Sequence, residues 1–598
     1  MRTLAKSFAD IDLVQNRKMT DGLIIKRLLR YVKPFIAELI VSFLLVLLVV
    51  AVDLVGPLLI SEAIDTLAAP EIVFGRVVAI VAGYFAVLAV GALIAYKQTM
   101  VLQSAGQKII YDIRADVFSH IESLAVDTFN HIPIGKLVTR VSSDIDTLNT
   151  LYTDVLVNFF KYTITIVGVF AIMFIKDWRL TLAVSAVVPF VFIAAFVFRK
   201  FARKAYRKVR ANVSIINAFL SEHLSGMKLI QIFNREDRKF QEFRRKNLDL
   251  NQSYLQQTFA FSLYRPLMYL LYVVALIIVL WTGSLRVLGG FLSFGMLFAF
   301  TQYINKFFNP IQELAEQFDT LQSAFTSGER IFEILDTKPL ITDSEDAIEL
   351  TELKGKIEFR NVWFAYQADD WILKDVSFVI NPKETLALVG ATGSGKTTII
   401  SLIVRNYDIQ RGQILIDDID IKAIKIASLR RQIGQMLQDV FLFSGTIESN
   451  IRLRDERITD LEILEACKYV NADKFINRLP LKYDEAVRER GNNFSAGERQ
   501  LLSFARALSH KPAVMILDEA TANIDTETEI LIQESLKKLM NIGTMIIVAH
   551  RLSTIQHADK IIVMQKGKII EAGNHQQLLR RRGHYYNLYK LQYEADNH

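Results

Sequence analysis

The chain has 598 residues, 51% apolar and 22% charged, and a formal net charge of +7. This excludes a disulfide-stapled miniprotein and a mainly disordered chain, and the lone cysteine, Cys467, excludes an intramolecular disulfide or a cysteine-cluster metal site. A mean hydropathy of +0.26 beside 70 Lys and Arg residues requires an uneven chain, and the apolar runs lie almost wholly before residue 305.

Residues 1–34 read as a cytoplasmic segment holding Arg2, Lys6, Arg17, Lys18, Lys26, Arg27, Arg30 and Lys33. Residues 35–324 read as a transmembrane domain with six helices, near 35–62, 75–100, 150–176, 179–200, 258–284 and 287–315. A bilayer core of about 30 Å needs roughly 20 helical residues. The runs 77–96, 180–198, 266–285 and 287–305 carry no charge, whereas 39–60 contains Asp53 and 151–175 contains Asp154 and Lys161. The first run is too long for a cleaved signal, and more spans follow it. A second basic cluster, Arg199, Lys200, Arg203, Lys204, Arg207, Lys208 and Arg210, follows the fourth span. The positive-inside rule places both clusters in the cytoplasm, so the links 1–2, 3–4 and 5–6 face outward.

Segments 100–150 and 200–257 are poor in Gly and Pro and keep a helical period, so they are expected to extend the spans far into the cytoplasm. Asp53 is the best candidate to face an internal cavity, while Asp154 and Lys161 lie near a helix end, where Lys reaches the interface. Residues 325–354 read as a linker, because Thr337-Lys-Pro and Asp343-Ser-Glu-Asp break the period.

Strand-like runs begin at 357–363 and 385–389. The second leads directly into Gly390-Ala-Thr392-Gly393-Ser394-Gly395-Lys396-Thr397-Thr398, a phosphate-binding loop in its required strand–loop–helix setting. Its glycines let backbone N–H groups curl around a phosphate chain, and the helix N-terminus adds positive charge. Lys396 is expected to reach the β- and γ-phosphates of ATP, and Thr397 to ligate Mg²⁺. A further apolar run, 514–517, ends in Asp518-Glu519. In this ATPase class the first acid serves the Mg²⁺ shell and a neighbouring residue orients the attacking water.

The 355–598 half, fused to six spans, resembles the ATP-binding cassette (ABC) exporter family as a half-transporter: an α-helical six-span transmembrane domain joined to an α/β P-loop nucleotide-binding domain. The most diagnostic segment is Phe494-Ser495-Ala496-Gly497-Glu498-Arg499-Gln500, at the family's signature position. The resemblance implies that Ser495 and Gly497 contact ATP held by another chain and that Tyr366 stacks on adenine. It implies that Gln438 senses Mg²⁺ and γ-phosphate, that Asp525 lies in a loop crossing the dimer interface, and that His550 is the switch histidine beside the catalytic Glu519. Arg488-Glu-Arg-Gly491 is similar to the loop that meets the intracellular helices. The stretches from Phe129 to Arg140 and from Gly226 to Glu236 resemble the segments that supply coupling helices, the second docking on the partner chain.

The signature departs from the family's Leu-Ser-Gly-Gly-Gln at Phe494, Ala496 and Glu498. Ala adds a methyl and Glu a negative charge near phosphate, while Lys396, Asp518, Glu519 and His550 match the pattern. That combination resembles one subunit of a heterodimer, with a homodimer as the alternative. The function implied is ATP-driven export of hydrophobic or amphipathic small molecules, drugs or lipids, by alternating access. The aromatic residues Phe159, Phe160, Phe291, Phe294, Phe298 and Phe300 agree with such cargo. Peptide secretion or an importer built on the same fold are the alternatives. The expected partners are membrane lipid, a second half-transporter and a small-molecule substrate. Nucleic acid is not expected, because the positive-inside pattern accounts for much of the basic excess. A bacterial plasma or inner membrane is the expected location.

Overall fold

The structure, a computed structural model, describes residues 19–70, 73–367, 370–453, 455–518, 526–540, 542–548 and 555–596. Its contacts divide the chain into two units: Val14–Ser123 with Ile134–Thr337, and Leu124–Pro133 with Lys338–His598.

The first unit is helical. A short helix, Asp21–Val32, turns through Pro34 into the Ile36–Leu67 helix. The Phe74–Ser123 helix, 50 residues long, carries the second apolar run straight on into the segment after residue 100, as the period predicts. The chain returns through helical turns that widen at Arg140–Asp144 and Leu151–Val155 before the Leu156–Lys176 helix. Then come Trp178–Ser185, Val188–Ser225, Glu236–Leu288 and Phe294–Leu335. Val46, Val50, Val169, Met268, Phe300 and Tyr303 meet in its core. Pro57 removes a backbone donor from the first long helix, and in the turn before it Leu54 O accepts the Tyr303 hydroxyl at 2.7 Å.

Three boundaries differ from the sequence reading. The fourth span is not one helix near 179–200: it breaks at 186–187, where Pro189 sits in the first turn of the next helix, a position that tolerates a missing N–H. The sixth does not begin at 287: Val287 and Leu288 finish the preceding helix, Gly289 caps it, and the Ser293 hydroxyl accepts from Met296 N to start the new one. The helix then runs to Leu335, so the first part of the segment read as a linker is helical, with Ile331 and Phe332 buried. Among the described residues five helical stretches are long and apolar enough to cross a membrane. The Phe294–Leu335 helix is as long, but Gln302, Asn305, Lys306 and Asn309 lower its apolarity.

The second unit is α/β. A six-stranded sheet orders 568–573, 560–565, 385–389, 544–548, 514–518 and 433–436, all parallel except the first. A four-stranded antiparallel sheet, led by Ile357–Ala365, packs with it. The strands Thr385–Val389 and Thr544–Val548 are buried at every residue, as continuous apolar runs in a two-sided parallel sheet should be.

Candidate functional site

Register sets the site. Val548 pairs with both Leu388 and Asp518, so three adjacent parallel strands end level at one edge. The crevice beyond the carboxyl ends of such strands is where ligands bind. Gly390 leaves the first strand with φ +154°, and a Cβ there would lie 2.3 Å from Met564 O. Gly395 caps the Lys396–Ile403 helix at φ +105°, a left-handed conformation that favours glycine. The loop between them presents Thr392 and Gly393 to the outside and buries Ser394 and Lys396.

The Lys396 ammonium donates to Gly390 O at 2.7 Å and Ala391 O at 3.1 Å. Burial pushes its pKa below the usual lysine value, and the negative charge of Asp518 pulls the other way. Ser394 Oγ is buried and has no hydrogen-bond partner among the described residues. An orphaned hydroxyl and a desolvated ammonium in one loop suit an anion, because each lacks what a phosphate oxygen supplies. Thr397 is exposed at the start of the helix, and Asp518 ends its strand. Hydroxyl and carboxylate oxygens are the donors Mg²⁺ prefers, so the residues present fit Mg²⁺ with ATP.

Tyr366 is 47% exposed, which leaves a ring face open for a base. Its hydroxyl meets Thr398 Oγ1 at 3.1 Å, so Thr398 engages the aromatic residue rather than the open side of the loop. Gln438 is exposed, two residues beyond the Ile433–Met436 strand that flanks Val514–Asp518. Glu519 and His550, the catalytic pair expected from sequence, come one residue after the strand Val514–Asp518 and two after Thr544–Val548, but lie outside the described residues, as does Asp525.

The signature segment opens the Ala496–Ser509 helix. Ser495 is its N-cap: its hydroxyl accepts from Glu498 N at 3.2 Å, and Glu498 Oε2 accepts from Ser495 N at 2.8 Å. This reciprocal box holds a carboxylate on the first turn, where the helix dipole is positive. Ser495 and Ala496 are exposed, while Gly497 is buried. Phe494 is buried against Phe475, so the aromatic departure serves the core. Before it, Arg490 holds φ +58°, a left-handed turn in the Arg488–Gly491 segment.

Tyr407 escaped the sequence reading, because its role depends on partners far along the chain. It packs edge-on to Tyr366, and its hydroxyl accepts from Asn130 Nδ2 at 3.0 Å. Burial and the nearby Asp127 carboxylate raise its pKa, so it stays protonated at neutral pH.

Comparison with known proteins bears on the whole chain. Residues 39–311 match the family described as the ABC transporter transmembrane region, and residues 373–522 match the family described as ABC transporter. A Bacillus subtilis protein named as the uncharacterized ABC transporter ATP-binding protein YknV is 39% identical over 95% of this chain and 94% of its own. YheH of the same organism, a probable multidrug resistance ABC transporter ATP-binding/permease protein, is 40% identical over 83% of this chain and 74% of its own. The ATP-dependent lipid A-core flippase of Syntrophus aciditrophicus is 35% identical over 84% of this chain and 83% of its own.

Proposed function

Since the chain belongs to the ABC transporter family, as an exporter half-transporter whose ATPase is coupled to transport, we propose that it exports hydrophobic or amphipathic small molecules, drugs or lipids, paired with a different half-transporter. The observation that carries the pairing is the tip of the second cytoplasmic segment. The Met227–Ile232 helix buries none of its residues, and Leu229, Ile232 and Phe233 are 62%, 64% and 64% exposed. Apolar side chains clustered at the end of two long helices mark a contact surface. By family resemblance this tip docks on the nucleotide domain of a second chain.

Glu498 supports a partner of different sequence. Its carboxylate sits in the cap of the signature helix, beside the place where the other chain's ATP would present phosphate. Like charge there opposes closure. This chain's own P-loop keeps its full set of groups, so its competent site needs a standard signature from elsewhere. The cargo class is supported by the exposed Phe159, Phe160, Phe291, Phe294 and Phe298. It is supported also by relatives named for multidrug resistance and lipid A-core flipping. Phe300 is buried in the helical core and belongs to packing.

In this reading Lys396 and the loop amides hold the phosphates, Thr397, Gln438 and Asp518 serve Mg²⁺, Tyr366 stacks on the base, Glu519 orients water and His550 contacts the γ-phosphate. The 355–598 half lies in the cytoplasm. ATP drives a conformational change only by binding the closed pair better than the open one. The test is ATPase turnover of this chain purified alone in lipid, with Glu519→Gln as control. Bound ATP with negligible turnover is expected. Robust turnover that Glu519→Gln removes would establish a homodimer instead.

A further inference from the structure

The Val188–Ser225 helix changes character along one face. It belongs to a stretch long and apolar enough to cross a membrane. Ala202 and Val209 are buried on one side of it. The Glu236–Leu288 helix is tied to it over this length. Phe198 stacks on Tyr264 with ring centroids 3.9 Å apart, Lys208 Nζ donates to Gln256 Oε1 at 3.1 Å, and Asn212 Nδ2 donates to Ser253 Oγ at 2.7 Å.

The face opposite Ala202 and Val209 is exposed. It carries Ile193 and Phe196, and then Lys200, Arg203, Lys204 and Arg207. With about 3.6 residues per turn, the spacings of three and four place these four cations in one stripe, in line with Ile193 and Phe196. The stripe rises about 10 Å along the helix, enough to cross a headgroup layer of roughly 5–8 Å.

Neither helix supplies a countercharge here. No acidic residue occurs between Asp177 and Glu222, or between Asp249 and Glu313. Among the described residues none of the four makes a salt bridge, and Arg203 reaches Gln322 Oε1 at 3.5 Å. Like charges at these spacings destabilise a helix, and an anion against the stripe relieves that cost. Continuity with the apolar face identifies the anion. The face that meets acyl chains at Ile193 and Phe196 meets headgroups where those chains end. Long Lys and Arg side chains keep their stems in the apolar layer and their charges at its edge.

We propose that Lys200, Arg203, Lys204 and Arg207 form a docking surface for the phosphates of anionic phospholipids in the adjoining leaflet, the cytoplasmic one in the orientation proposed above. A polybasic segment beside a span is attracted to anionic lipid, each cation adds to the attraction, and salt weakens it. Headgroups held there set the depth of a helix that continues unbroken to Ser225.

The experiment is native mass spectrometry of the full-length chain in detergent, titrated with dioleoyl phosphatidylglycerol or dioleoyl phosphatidylcholine. The parent is expected to bind the anionic lipid about tenfold more tightly, and added salt should shrink that preference. With Lys200→Gln, Arg203→Gln, Lys204→Gln and Arg207→Gln combined, the preference should fall below about threefold. Phosphatidylcholine affinity and ATP binding should stay within twofold of the parent, the latter showing that the chain is folded. Should the fourfold change unfold the chain, Lys200→Gln with Lys204→Gln is expected to lower the preference at least threefold. Lys200→Arg with Lys204→Arg, which keeps every charge, should retain it. A parent without preference would overturn the proposal. So would an undiminished preference in the neutralised chain, which would place the lipid on another basic segment. Displacement of the lipid by inorganic phosphate, beyond that by chloride at equal ionic strength, would assign the stripe to a free anion instead.

Discussion

Lys396 shows how one side chain suits the phosphate proposed for it. Among the described residues its largely buried ammonium meets two carbonyl oxygens of its own loop, with the charge of Asp518 nearby. Hydrogen bonds to a charged group contribute about 1.5–3 kcal/mol, so Lys396→Ala is expected to weaken ATP binding about tenfold or more, read by nucleotide titration. Glu498 is the opposite case, a charge where the proposed pairing brings an anion. Glu498→Gln keeps a side-chain acceptor for Ser495 N, so the cap survives and thermal stability should change by less than about 1 kcal/mol. ATP bound against this signature, in the assembled dimer, should tighten. An unchanged affinity with the cap intact would remove Glu498 as the cause of a weak site.

Among the elements, the short helices at the ends of the two long inter-span segments behave differently. The Val126–His131 helix is engaged within this chain by Tyr407, whereas the Met227–Ile232 helix exposes its apolar residues. Placing a charge on the second should therefore break a contact without disturbing the fold. Phe233→Asp is expected to leave ATP binding within twofold and to lower the ATPase of the assembled transporter at least tenfold. Equal activity in variant and parent would show that this tip docks on nothing. The link between the third and fourth spans is held in another way. Asp177 caps the Trp178–Ser185 helix through Arg179 N and Leu180 N, each at 3.0 Å, and pairs with Arg286 at the end of the Glu236–Leu288 helix. Asp177 is buried and Arg286 partly so. Asp177→Ala removes the helix cap as well as the pair, and each hydrogen bond to a charged group is worth about 1.5–3 kcal/mol, so it should lower the unfolding temperature.

For the whole molecule, an apolar helical unit and an α/β unit share one chain, and the 22% of charged residues concentrate outside the spans. An intact P-loop in the same chain as a charged signature is the ground of the proposed pairing with a different half-transporter. Native mass spectrometry of the transporter released from its own membrane is expected to give one 68.1 kDa chain with one chain of different mass. A species of two identical chains would remove the different partner.

The apolar helices, the glycine loop between a strand and a helix and the cap at Ser495 were legible in the sequence, because each is written locally: apolar length, glycine spacing after a strand, and a Ser-x-x-Glu cap before a helix. The long helical extensions were legible for the same reason, since a helical period without Gly or Pro needs no distant partner. The breaks at 186–187 and at Gly289–Ser293 were not, because an apolar run reads alike whether it is one helix or the end of one and the start of the next. Nor was the placement of 124–133 in the nucleotide unit, or the grip of Asn130 on Tyr407 across 277 residues. Such contacts depend on how distant elements pack. Only the tertiary structure decided that the hydroxyl of Thr398 faces Tyr366, that Ser394 Oγ is buried without a partner among the described residues, and that Tyr407, packed on Tyr366, meets Asn130.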